Sequence, residues 1–500
     1  MNKLRRSIVC LLAAALLLGP VRAAAAQTVT TAGRTLQLVA VPLDGTCAGH
    51  VVTAGGLVCD DRPAAELIRA AAAYGTVTAA VNGMFFNAYY NQSAPRAFPD
   101  NAPMLLTTLV QDGQVQAGSV VGTAKQNCIG FARDGRVLID AAAIQVTVSL
   151  GARGEIPVWR VNGRESSANA VVLMTGAMPL PFAIPAGAYA VLIENGRVTA
   201  RVTAASATLT AGQKLLMIGS GVIDFFSKRD RLPQAGDALT IRTTVTAAGG
   251  ADWSRMNAVA AGGRMLIHQG RIVAADAAFN ALLDKDPKQN ATGVYQRSFA
   301  AVMKNGTLLL GTGTASFNEI AAFLAARGAV DAVSLDGGAS GMLYEGGRFV
   351  TAAGRELASA IVFTKPAVRA AQCAALVDGA SVSFGAYSVG GNNYCRLRDF
   401  ALVLRGSARA FGVGWDAARA AVSLTSGADY VPIGGELSAA AAPRTVKLNQ
   451  SSVWLDGAQI DPLGYTIDGS NYFKLRDLCA ALNVGIDWDA ASQTVLIRTK

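Results

Sequence analysis

Between Gln27 and Thr364 the apolar residues come in short runs separated by glycine-bearing turns. The clearest are Gln37–Val41, Val77–Val81, Gly135–Ile139, Tyr189–Ile193, Lys214–Ile218, Ala238–Val245 and Leu308–Gly311. Runs of this length between turn signals predict strands. Two segments carry apolar residues at helical spacing instead: Ala64–Tyr74 and Phe317–Ala326, the latter opened by Asn318-Glu319 and ended by Gly328. Val333–Leu335 reads as a buried strand, and 296–312 as a hairpin turning at Asn305-Gly306. The expected fold class is α+β: a strand-rich, mixed-sheet main domain over 27–365, a linker at 366–374, and a small α+β domain over 375–500.

The C-terminal part repeats itself. Tyr394, Leu397, Arg398 and Asp399 match Tyr472, Leu475, Arg476 and Asp477, and Trp415-Asp416 matches Trp488-Asp489. Each copy predicts a hairpin with an Asp-Gly turn (Asp378-Gly379, Asp456-Gly457), a short helix carrying Leu-Arg-Asp, and a closing strand at Ala421–Leu424 or Thr494–Ile497. Units this small bury little surface alone, so the two are expected to pack as one domain. The residues of 375–499 resemble the stalk domain, also called the copper amine oxidase N-terminal-like domain, found at the ends of exported bacterial proteins. Neither His50 nor His268 lies there, so the resemblance implies no copper, and the Arg–Asp pairs are expected to orient the helix.

Met1 to about Ala26 reads as a signal peptide. Lys3, Arg5 and Arg6 precede the apolar run Ile8–Leu18, and the small residues Ala23–Ala26 follow. That run falls short of the ~20 residues of a membrane span, and no later stretch is long and apolar enough. The mature chain is therefore expected to have no transmembrane span and to be secreted or associated with the cell envelope. Without Cys10, six cysteines remain: Cys47, Cys59, Cys128, Cys373, Cys395 and Cys479. Cys47 and Cys59 bracket a short glycine-containing segment and are read either as a disulfide or as two thiols, while Cys395 and Cys479 fall in apolar helical patterns as buried free thiols.

Length and composition narrow the function classes. Five hundred residues exceed one ordinary core, and 51% hydrophobic with 16% charged residues excludes a disordered chain. Two histidines cannot build a His-rich metal site. A net charge of +10 could meet nucleic acid, an anionic envelope polymer or a phosphorylated substrate, and an excess this modest reads more often as a solvated surface than as a binding site. The absence of long basic runs interleaved with aromatics argues against nucleic acid. No metal site is assigned, and no cofactor is identified.

Three motifs carry candidate chemistry. In AAVNGMFFN (79–87) an apolar strand runs into Asn82-Gly83; the amide of Asn82 is suited to orient a ligand and Gly83 to let backbone approach it. In QRSFAAVMKNGTLLLGT (296–312) Arg297 stands at a strand's entry with a fork suited to phosphate oxygens. In AVSLDGGASGML (332–343) Asp336 leaves the end of a strand, followed by Gly337, Gly338 and Ser340, whose N–H groups and hydroxyl suit an anion. Read singly, the same residues make an ordinary β-turn, a surface arginine and an Asp-Gly turn.

In this order the motifs resemble the phosphodiester glycosidase family, which includes the enzyme that uncovers mannose 6-phosphate by removing N-acetylglucosamine. Asn82, Gly83, Phe85 and Phe86 match its Asn-Gly-x-Phe-Phe element. Ala258–Gly263 with Met265–Val273 resembles its Gly-Gly segment and hairpin. Arg297-Ser298 matches its Arg-Thr, Leu335–Ser340 its Leu-Asp-Gly-Gly-Gly-Ser, and Arg355 with Leu357–Val362 its closing strand. The departures are Gln296 for proline, Ala301 for glycine, Ala339 for the middle glycine, and Gly313-Thr314 without the usual acid. The resemblance implies hydrolysis of the bond between a sugar's anomeric carbon, N-acetylglucosamine-like, and a phosphodiester oxygen. On that reading Asp336 acts at the anomeric centre, Arg297 holds phosphate and Asn82 orients substrate. Gly83, Gly337, Gly338, Ser340 and Arg355 contact substrate. The expected partner is a glycan phosphate or envelope polymer, with cell-wall contact through the C-terminal domain. Two alternatives stand beside it: a non-catalytic wall-binding or structural protein on the same fold, and a phosphodiesterase cutting the P–O bond.

Overall fold

The computed structural model describes residues 26–122, 124–247 and 249–500. The expected signal peptide lies outside these residues except for Ala26. The architecture is α+β and strand-dominated, with sheets of seven, twelve and five strands before residue 366 and of eight and four strands after it. Two of these sheets position the site. The seven-stranded sheet runs Gln27–Thr31, Arg34–Pro42, Thr307–Ala315, Tyr295–Met303, Ala329–Leu335, Met265–His268, Arg271–Ile272. The five-stranded sheet runs Arg348–Thr351, Leu343–Glu345, Thr76–Asn82, Ser359–Lys365, Ala48–Thr53.

The hairpin at 295–315 and the strand behind it show why these sequences fold here. Asn305-Gly306 turns the chain, with Gly306 at φ 77°, and Ser298 pairs with Leu335 in the next strand. Residues alternate between faces. Phe299, Ala301 and Met303 pack under the helix Phe317–Ala326, while Ala300 joins Val333 and Leu335 in the core shared with the five-stranded sheet. The helix matches the predicted span. It starts on a capping box in which Ser316 and Glu319 satisfy each other's backbone N–H groups. It buries Phe317, Ile320, Ala321, Phe323 and Leu324. Each large side chain is worth about 1.5–3 kcal/mol, so tertiary burial outweighs the cap at about 1 kcal/mol.

Past residue 366 the two repeat copies interlock. Asn392–Arg396 pairs with Ser470–Lys474, so that Tyr394 faces Lys474 and Arg396 faces Tyr472 across one eight-stranded sheet. The Leu-Arg-Asp segments open helices Leu397–Val403 and Leu475–Ala481, as expected. Phe384, Phe400, Phe411, Phe473 and Leu478 fill a core of their own. The stretch read as a linker is not one. Val368–Val377 is a strand paired with Ala380–Val389 and, in parallel, with Thr494–Arg498. Its alternation of small and apolar residues (VRAAQCAALV) fits a strand, and only Pro366-Ala367 separates it from Ser359–Lys365. This part also touches the residues before 366: Arg133 reaches Asp477 at 3.2 Å, Arg255 Nε reaches Asp461 at 3.1 Å, and Leu448 N–H donates to Gly45 O at 2.7 Å.

The six described cysteines are free and buried. The disulfide read as one option for Cys47 and Cys59 is therefore corrected. Cys47 Sγ lies 3.7 Å from Thr78 Oγ1, and burial pushes the Cys59 thiol up to about 11. No helix among the described residues is long and apolar enough to cross a bilayer.

Candidate active site

The site forms where a strand from each of these two sheets ends. Thr76–Asn82 finishes at Asn82, and Ala329–Leu335 delivers Asp336 just beyond its C-terminal end. Asn82 is 1% exposed and joins the two. Its Nδ2 donates to the backbone oxygen of Asp336 at 2.6 Å, and its Oδ1 accepts from Met342 N–H at 3.0 Å. The amide expected to orient substrate instead fixes the loop that carries the carboxylate. Gly83 has a similar role. A Cβ there would lie 2.4 Å from Ser359 Oγ, so its close approach is to the neighbouring strand rather than to a ligand. Its carbonyl accepts from Asp336 N–H at 3.2 Å.

Asp336 is partly buried. Burial pushes its carboxyl up to about 6, against the opposing pulls of the Ser340 hydroxyl, the Gly337 N–H and the Arg355 charge. The Gly337 N–H donates to Asp336 Oδ1 at 2.9 Å, so it holds the carboxylate and is not available to a substrate anion. A side chain at Gly337 would collide with Gln296 O at 2.6 Å. Gly338, at φ 61°, is exposed and faces open space. Gly354 N–H donates to Ala339 O at 2.7 Å, tying the loop to the segment that carries Arg355. The Arg355 guanidinium then lies within electrostatic reach of Asp336 and 5.2 Å from the ring centroid of Tyr89. Hydrogen bonding to Arg355, and then the charges of Arg355 and Lys288, hold the Tyr89 hydroxyl below the usual tyrosine range, with Asp336 opposing.

Arg297 departs from its expected role. It is 4% exposed, and its guanidinium donates to Lys288 O at 2.7 Å and Gly293 O at 3.0 Å. It stacks on Phe317 with Cζ 3.8 Å from the ring centroid. Burial pushes it down to about 10. The fork read as a phosphate clamp is occupied by two carbonyls of the loop that carries Lys288. Arg264, fully buried, grips the same loop through Gln289 O at 2.8 Å and the Asp284 carboxylate. The paired glycines of the preceding strand end serve this packing: a Cβ on Gly262 would meet Ser334 O at 2.6 Å, and one on Gly263 would meet Ser334 Oγ at 2.7 Å.

The structure thus brings together Asp336, Ser340 and Arg355 and adds Tyr89 and Lys288, two residues that sequence reasoning missed. Both sit in loops with no periodicity. The Tyr89-Tyr90 pair directly after the Asn-Gly-x-Phe-Phe strand end was the available signal. Arg297 and Asn82 stand behind the site. His268 lies elsewhere, on its hairpin at Gln269-Gly270, facing Asp331 at 3.4 Å. No group of three or more His, Cys, Asp or Glu among the described residues converges to hold a metal ion.

No curated protein matches the chain. A hypothetical protein from Synechocystis is 18% identical, over 68% of this chain and 61% of that one, with a TM-score of 0.53. The chain thus spans 61% of that structure's length. A putative exported protein from Burkholderia pseudomallei is 19% identical, over 66% of this chain and 74% of that one, with a TM-score of 0.51. At these identities the likeness concerns the fold alone. The zebrafish N-acetylglucosamine-1-phosphodiester alpha-N-acetylglucosaminidase catalytic domain, auto-inhibited by its pro-peptide, is 11% identical over 68% of this chain and 81% of that one, at a TM-score of 0.34. Residues 188–364, a segment that includes Arg297, Asp336 and Arg355, match the phosphodiester glycosidase family model.

Proposed function

We propose that the chain is an exported hydrolase that cleaves the bond between a sugar's anomeric carbon and a phosphodiester oxygen. The observation that carries the reading is a partly buried carboxyl, Asp336, raised to about 6, at a strand end beside a cation, Arg355, within the matched segment. A phosphate monoester leaves more readily than an alkoxide, so a strong general acid is less needed than in ordinary glycosidases. What the reaction requires is stabilisation of positive charge at the anomeric carbon and of negative charge on the leaving phosphate. Asp336, as the carboxylate, serves the first requirement, directly or by activating water. Arg355, with Lys288, whose charge also reaches Tyr89, serves the second, the role first read for Arg297. Water oxygen joins the anomeric carbon, the C–O bond breaks, and the bridging oxygen leaves with the phosphate.

The substrate proposed, from the resemblance to the phosphodiester glycosidase family and supported by the chain's positive charge, is an N-acetylglucosamine-like sugar on a phosphodiester, within a glycan phosphate or envelope polymer. Hydrolysis of an N-acetylglucosamine phosphodiester in heavy-oxygen water tests the reading. Label in the sugar supports C–O cleavage. Label in the phosphate replaces it with P–O cleavage, and no hydrolysis leaves a binding protein on this fold.

A further inference from the structure

The two repeat copies build the same helix start but present it to different surroundings. In the second copy Asp477 accepts from Leu463 N–H at 3.0 Å and faces Arg133 at 3.2 Å, against the residues before 366. In the first copy the equivalent Asp399 accepts from Leu437 N–H at 3.0 Å and from Arg396 Nε at 2.8 Å. Beside it opens a groove of about 430 Å³. That volume is within the range of small-ligand sites.

The lining of this groove points to one kind of occupant. Trp415 projects into it with 63% of its surface exposed. A tryptophan so placed presents a flat apolar face with a polar edge, the form that meets half-polar ligands. Gly434 and Gly435 line part of the groove without side chains. Arg396 is engaged by Asp399, by Gly435 O at 3.1 Å and by Ser438 Oγ at 3.0 Å. Arg398, also lining the groove, is exposed and makes no salt bridge among the described residues. One flat aromatic, an open backbone wall and one free cation fit a pyranose ring with its C–H face on the indole and an acidic substituent on the guanidinium. Glu436 also lines the groove, and its carboxylate accepts from the Tyr430 hydroxyl at 2.6 Å and from the Ile433 and Gly434 N–H groups at 2.9 Å.

We infer that the groove between Trp415 and Arg398 is a binding site for an anionic saccharide, separate from the Asp336 site. The inference does not depend on the chemistry at Asp336. The test is affinity electrophoresis of the full chain carrying Asp336→Asn, through gels containing a phosphate-bearing mannan, polygalacturonate or uncharged dextran. The anionic polymers should retard the protein more than dextran does. Trp415→Ala should weaken retention about tenfold or more, and Trp415→Phe should preserve most of it. Arg398→Gln should reduce retention by the anionic polymers to the dextran level. Melting curves of the variants confirm folding. Equal retardation of Trp415→Ala and its parent would assign binding to the general basic charge and overturn the site, as would a parent retarded by none of the polymers. Binding through Trp415 together with no phosphodiester hydrolysis by the chain that keeps Asp336 overturns only the reading of Asp336.

Discussion

Asp336 and Asp399 are the same residue type at similar junctions, each where a strand has just ended, yet the chain treats them differently. Asp399 is fully buried and answered from both sides, by the Arg396 guanidinium and the Leu437 N–H. Asp336 receives the N–H of its own neighbour and a serine hydroxyl, while its cation, Arg355, is shared with Tyr89. The first carboxylate holds a loop in place. The second is left short of partners, and burial raises its proton affinity. A buried charge with complete hydrogen bonding is structural, whereas one with incomplete compensation is available to a ligand.

Substitutions at the two aspartates should separate these roles. Asp336→Asn keeps the shape and removes the charge, so turnover of a sugar phosphodiester should fall about 100–1,000-fold without loss of folding. Steady-state kinetics beside a melting curve check this, and wild-type turnover would end the contrast with Asp399. Asp399→Asn should behave in the opposite way. It weakens a charge-assisted bond to a partly exposed arginine, costs about 1–3 kcal/mol in urea unfolding, and leaves small-substrate turnover intact.

The arginines sharpen the comparison. Arg355→Gln should lower kcat/KM for a phosphodiester about tenfold or more, and lower it less for an uncharged aryl glycoside. Arg297→Lys cannot bridge Lys288 O and Gly293 O as a fork. It should lower the melting temperature and raise KM through a loosened Lys288 loop, and it should reduce both substrates more evenly than Arg355→Gln does. A selective phosphodiester defect in Arg297→Lys would restore it as a direct ligand.

The smallest effect is in pH. If the ionised Asp336 is the active form, kcat/KM should rise through an apparent pKa of about 6. The folded carboxyl binds its proton more tightly than the unfolded one, whose value is near 3.8. Between those values the native state holds the extra proton, so the Asp336 contribution to stability falls as pH rises through the window and stays lower above it. Asp336→Asn lacks that loss. It should melt above the wild type at pH 8 and close to it at pH 4, and an equal difference at both would contradict the assignment.

Much of this was legible in the sequence wherever local chemistry and tertiary burial agree. Phe317–Ala326 and Lys214–Ile218 have the spans their patterns predict, because every large apolar residue in them meets the core. The place of Asp336 at a strand end was legible because Val333–Leu335 is apolar and Asp-Gly-Gly breaks the strand after it. Arg297 was misassigned because sequence places a residue on a strand but does not show which side of the sheet its long side chain follows. Alternation with Phe299 sends it under the helix, away from the carboxylate. Tyr89 and Lys288 were missed because loop residues converge only once the strands are paired. The supposed linker was misread because small residues carry little strand signal until partners on both sides are known.

The two-residue join at Pro366-Ala367 also has a mechanical meaning. A pull on the C-terminal repeats passes, beyond their side contacts, into Ser359–Lys365, a strand held antiparallel on both sides, by Thr76–Asn82 and Ala48–Thr53. Force along such a strand loads its hydrogen bonds in shear, together rather than one by one. The same strand begins at Ser359, whose carbonyl accepts from Gly83 N–H and whose hydroxyl accepts from Met84 N–H. Tension borne by the repeats would therefore arrive at the backbone that holds the Asp336 loop.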